Sequence, residues 1–94
     1  MNLGKTIKKL RLERKMSQEE LSLRLGVTRP YIHMMEDGER NPSPDLVDGM
    51  AIVFDIPAAI LMFMAIEETD IKEPKRKYFA KTKADIDALI TNLL

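Results

Sequence analysis

The chain contains no cysteine. It therefore holds no disulfide, no thiolate nucleophile and no cysteine-ligated zinc, a composition suited to a reducing compartment. Long apolar stretches are missing as well. The longest, Ile56 to Ile66, is eleven residues, well short of the ~20 that a membrane-spanning helix needs, and no signal-peptide pattern opens the chain. The expectation is a cytoplasmic protein with no membrane partner. Repeats and low-complexity segments are absent. So is any carboxylate pair, Ser/His pair or ligand cluster with a defensible catalytic geometry, so neither an enzyme nor a metal or other cofactor is expected. His33, the one histidine, has no second ligand or nucleophile near it.

The 94 residues suffice for one small domain with a modest core. A formal net charge of zero hides a segmented distribution. Residues 1–40 carry nine Lys/Arg against six Asp/Glu, residues 41–70 none against six, and residues 71–94 six against three. Near the start, Lys5, Lys8, Lys9, Arg11, Arg14 and Lys15 face only Glu13. Such a run is often no more than a solvated face. Beside a nucleic-acid reader it becomes a phosphate-facing surface, with the acidic middle turned away.

That reader is indicated by SQEELSLRLGVTRPYIHMME, residues 17–36. Ser17 with Glu20 three residues on makes a capping box, Leu21 and Leu25 share a helical face, and Gly26 suits a left-handed stop. Val27 fills the elbow, Thr28 caps a second helix, and Ile32 and Met35 supply its buried stripe. Ser22, small and inward-facing, lets the two helices approach. Two short helices at a steep fixed angle can lay the second into a DNA major groove. The pattern predicts a helix-turn-helix.

The remaining elements follow from periodicity. Leu3, Ile7 and Leu10 mark a first helix ending near Lys15. Asp37-Gly38 breaks the recognition helix. Ser43 and Pro44 open a fourth helix to about Phe54, burying Leu46, Met50, Ala51 and Phe54, with Gly49 pointing to close packing. A fifth helix runs from Asp55-Ile56-Pro57 through Ile66. Residues 67–81, charged and carrying Pro74, are predicted to be a linker. Thr82 with Asp85 then caps an amphipathic helix over 82–94, striped by Ile86, Leu89, Ile90 and Leu93. The predicted fold class is all-α, five helices in a DNA-binding domain over 1–66 and an additional C-terminal helix.

The run SQEELSLRLGVTRPYIHMMEDGERNPS resembles the Xre/Cro–lambdoid repressor family, because Ser22, Gly26, Val27, Ile32 and Met35 all fall in register. TRPYIHMMEDGERN is especially similar to the controller proteins of restriction–modification systems. The resemblance covers about the first sixty-five residues and implies a lambda-repressor-like fold. It departs at Ser22, where the family usually has Ala, and at Pro30, where many relatives have a polar reader. Residues 67–94 match no family pattern.

By position, the resemblance implies base contacts from Thr28, Arg29, Tyr31, His33 and Met34. A guanidinium at Arg29 can donate two hydrogen bonds to guanine O6 and N7. Tyr31 can reach a phosphate or base edge, or simply pack over the turn. Met34 can touch a thymine methyl, although a Met at helical spacing is often core. Phosphate contacts fall to Gln18, at a positive helix N-terminus, and to Arg40 and Asn41 in the following turn. Arg11 and Glu36 are implied to form a structural ion pair.

The fifth helix, apolar nearly all round, cannot bury every side in so small a chain. Ile60, Phe63 and Met64 are expected to be exposed in a monomer and buried in a two-fold homodimer, the symmetry that a pseudo-palindromic site requires. Within one chain, the alternative cover is the C-terminal helix. The leading reading is a sequence-specific regulator of transcription, a repressor or autoregulator on double-stranded DNA. Competing readings are an antitoxin, whose C-terminal segment would hold a protein partner, and a protein-interaction adaptor on the same scaffold.

Overall fold

Six α-helices, in a computed structural model that describes residues 1–93, follow one another with no strand among the described residues. They are α1 (Leu3–Glu13), α2 (Gln18–Leu25), α3 (Arg29–Glu36), α4 (Pro44–Phe54), α5 (Ala58–Ala65) and α6 (Arg76–Leu93), with a 3-10 turn at Glu68–Asp70 before α6. Two compact units are formed, one from Asn2 to Ala65 and the other from Met1 together with the residues from Ile66 on. No single described helix is long and apolar enough to cross a membrane.

In the first unit every helix start from α2 to α4 is set by a hydroxyl. Ser17, Thr28 and Ser43 each accept the backbone N–H three residues on, from Glu20, Tyr31 and Leu46. Each satisfies a donor that the first helical turn would otherwise leave unpaired. Gly26 ends α2 at φ 70°, where a side chain would be strained. The core is built from Ile7, Leu10, Leu21, Ile32, Met35, Met50, Phe54 and Leu61, all fully buried. On α4 the inward face is Val47, Met50, Ala51 and Phe54. Leu46, expected inside, is half-buried and packs at the edge of the core, while its neighbour Val47 takes the buried position.

Two features of this unit are not signalled by hydrophobic pattern. Gly4 lies where α1 passes α3 so closely that a Cβ there would fall well inside van der Waals contact distance of the Met35 carbonyl oxygen. Arg14 donates to the Phe54 carbonyl at 2.7 Å and so closes the C-terminal end of α4. The chain turns by 104° from α4 into α5. The far end of α5 is tied to α1, since the Asn2 N–H donates to the Ala65 carbonyl at 2.8 Å and the Thr6 hydroxyl to that of Met64 at 3.4 Å. Ile60, Phe63 and Met64 are half-buried rather than exposed, and Met64 packs against the core.

The second unit corrects the expected boundary between linker and helix. α6 begins at Arg76, so the last six residues of the stretch read as linker are helical and Thr82 lies inside the helix instead of capping it. Lys, Arg and Ala are good helix formers, and their charge does not oppose helix. The start is fixed by Arg76, whose Nε donates to the carbonyls of Glu68 and Ile71, each at 3.0 Å. Two turns further on, Lys83 and Asp87 pair at 2.5 Å across i,i+4. Ile86 and Ile90 are half-buried, whereas Leu89 and Leu93 are exposed. Leu94, included in the expected helix, lies outside the described residues. The Met1 ammonium sits 2.6 Å from Asp70. That hydrogen bond raises the pKa of the amine and, with the Glu67 backbone N–H, lowers that of the Asp70 carboxyl.

Candidate nucleic-acid interface

The reading surface of a helix-turn-helix must be polar outward and fixed from behind. α3 meets both conditions through its sequence RPYIHMME. Pro30 in the first turn removes an N–H that would be unpaired there anyway. Ile32, Met35 and Glu36 face inward and are buried, while Thr28, Arg29, Pro30 and His33 are exposed. Arg29, Pro30 and His33 line a shallow cleft together with Gln18 of α2.

Behind α3 lies a buried polar network. Arg11 donates from Nε to Glu36 Oε2 at 2.7 Å and from Nη2 to Oε1 at 2.9 Å, a two-pronged fit of guanidinium to carboxylate. Its Nη1 donates to the Met16 carbonyl at 2.9 Å. The Gln18 amide nitrogen joins at 3.1 Å from Glu36 Oε1. Hydrogen bonding to Glu36 raises the Arg11 pKa further above its ordinary value, outweighing burial. One carboxylate thus ties α1, the N-terminus of α2 and the last turn of α3 together.

The other expected contact residues have distinct settings. The Thr28 oxygen accepts the Tyr31 N–H at 3.3 Å, which leaves its own O–H proton to donate outward. Tyr31 is half-buried and packs against the core. Met34 is half-buried beside the fully buried Met35. His33 Nε2 lies 3.2 Å from Asp37 Oδ2 one turn on. Arg40 and Asn41 are exposed in the turn after α3, which opens at Gly38 with φ 82°. Two of the six cations near the start are engaged within the chain, Arg11 buried on Glu36 and the exposed Arg14 on the Phe54 carbonyl, so the basic run does not form one phosphate-facing surface. The Gln18–Glu36 bond is missed by motif reading, because the same residue type also fits a phosphate contact. No group of three or more His, Cys, Asp or Glu able to hold a metal occurs among the described residues.

Residues 7–61 match the family described as Helix-turn-helix, from the second turn of α1 to the middle of α5. The chain belongs to the helix-turn-helix family. Along 86 residues, 92% of its length, this helix-turn-helix protein is 33% identical to the immunity repressor protein of Bacillus phage phi105. It spans 58% of that relative. Among solved structures it is similar to the restriction-modification controller protein C.AhdI from Aeromonas hydrophila, at 32% identity and a TM-score of 0.60 over 64% of this chain and 91% of that one. A second similar structure is the controller protein C.Esp1396I, at 26% identity and a TM-score of 0.61 over 68% and 84% of the two chains.

Proposed function

We propose that this helix-turn-helix protein is a non-enzymatic, sequence-specific DNA-binding regulator of transcription, acting in the cytoplasm as a repressor or autoregulator of its own promoter. The observation that carries this reading is the exposed first turn of α3, held from behind by the Arg11–Glu36–Gln18 network. A reader whose orientation is fixed before binding loses little conformational freedom on docking, so its contacts can discriminate between bases. The phage repressor and controller relatives support the same class of activity.

In this reading Arg29 reads guanine in the major groove, Thr28 and His33 donate to base edges, and Met34 offers an apolar contact to a thymine methyl. Tyr31 reaches the groove with its hydroxyl while its ring stays packed. The backbone amides at Gln18 hold one phosphate, and Arg40 with Asn41 hold another. Ile60, Phe63 and Met64 lie in a two-fold interface that spaces two α3 helices by about one turn of DNA, ~34 Å. Selection of bound fragments from a random DNA library, followed by sequencing, tests the proposal. The expected result is a pseudo-palindromic consensus. Failure to enrich any shared sequence at moderate salt would refute it.

A further inference from the structure

On α4 the exposed residues Asp45, Asp48 and Ile52 fall at i, i+3 and i+7, one helical stripe. On α1 the exposed residues Lys5, Lys8 and Leu12 fall at the same spacing. Each stripe is about 10 Å long at 1.5 Å per residue, and each carries two like charges followed by one bare aliphatic side chain. Ile52 is 79% exposed and Leu12 56%. Among the described residues, the side chains of Asp45, Asp48, Lys5 and Lys8 make no ion pair within the chain. Ile52 also borders two grooves, one shared with Arg24, Leu25 and Asp45, the other with Asp48, Asp55 and Pro57.

We propose that the α4 stripe of one copy docks on the α1 stripe of a second copy, with Asp45 and Asp48 against Lys5 and Lys8 and Ile52 against Leu12. Matched spacing aligns all three pairs at once when the helices run parallel. Pairing either stripe with itself would set Asp against Asp or Lys against Lys, so the charges select the unlike combination. The acidic stripe is equally unsuited to the phosphate backbone. A contact between two different patches does not close on itself, and it leaves an α1 stripe and an α4 stripe open for further copies. Its small area makes it weak in free solution and effective where copies are already neighbours.

Sedimentation of the full chain, with no DNA present, tests this directly. At ~20 mM salt the wild type should grow with concentration beyond the species it shows at ~300 mM salt, where the charges are screened. Asp48→Lys and Lys8→Glu should each weaken that growth by about tenfold or more. An equimolar mixture of the two variants should regain it, because both unlike contacts then bring opposite charges together. Ile52→Ser should weaken it without altering helix content. Absence of low-salt growth in the wild type, variants that associate like the wild type, or a mixture that fails to recover would each overturn the proposal. Failure to bind DNA would leave it standing, since the contact needs none.

Discussion

Glu36→Ala is the most informative single perturbation of this fold. The wild-type carboxylate accepts three hydrogen bonds, two from Arg11 at 2.7 and 2.9 Å and one from Gln18 at 3.1 Å. Both partners of the ion pair are nearly sequestered, with the Arg11 side chain 8% exposed and that of Glu36 2%. Removing the acid leaves a buried guanidinium with the Met16 carbonyl as its remaining acceptor, 2.9 Å away. Breaking a buried pair in this way costs about 3–5 kcal/mol. A domain of this size holds roughly 5–14 kcal/mol in total, so the variant should lose a large share of its stability and melt at least ~12 °C lower. Urea titration followed by circular dichroism measures the loss, with the denaturant slope checked for constancy. The companion Arg11→Met/Glu36→Leu removes both charges for apolar groups of similar volume and should recover most of the deficit. A loss below about 1 kcal/mol for Glu36→Ala would mean that water reaches the guanidinium and that the pair behaves as a surface one.

Other substitutions probe single steps of the same argument. Gly4→Ala should destabilise by about 1–3 kcal/mol through overpacking against α3, although Ala ordinarily favours a helix over Gly by ~1 kcal/mol; a higher melting temperature would refute the close approach. Arg29→Ala should cost about 1–3 kcal/mol on the selected DNA site in a mobility-shift titration and almost nothing on scrambled DNA. Equal losses on both would reassign it to the phosphate backbone. Arg40→Ala should weaken all sequences and lower the salt slope of binding by about one, an unchanged slope counting against it. Ile60→Asp or Phe63→Asp should sediment as a folded monomer that binds a full palindrome much more weakly. A wild type that is monomeric at tens of micromolar would contradict the two-fold interface.

The helices of the first unit are legible in the sequence because their boundaries are chemical. A hydroxyl three residues before the N–H it accepts, as at Ser17, Thr28 and Ser43, is a local signal that tertiary packing need not supply. Gly26 works the same way at the other end of α2. The second unit offers no such mark at its true start. Arg76 fixes the beginning of α6 with a guanidinium that reaches back to carbonyls five and eight residues earlier. Side-chain donors of that kind have no fixed spacing, so the Thr82–Asp85 pattern, which does have one, draws the boundary six residues late.

Contacts between helices are harder to read for a related reason. A basic run is visible as charge, but the sequence does not say which cations are consumed internally. Arg11 and Arg14 are consumed, and they can be separated from Lys5, Lys8 and Lys9 only by helical phase. Positions 7, 10, 11 and 14 lie within one face of α1 and its end, the face that also carries the buried Ile7 and Leu10. Both arginines therefore lie toward the core side, Arg11 buried and Arg14 at its exposed edge, and the lysines at 5, 8 and 9 on the outward side. Gly4 obeys the same phase, three residues before Ile7 and seven before Arg11, which places its missing side chain on the surface that meets α3. The phase of α1 thus divides its cations by role: Arg11, whose planar donors satisfy a buried carboxylate, points in, Arg14 stays exposed while its guanidinium reaches over to the Phe54 carbonyl, and the lysines, which hold their hydration strongly, remain at the surface.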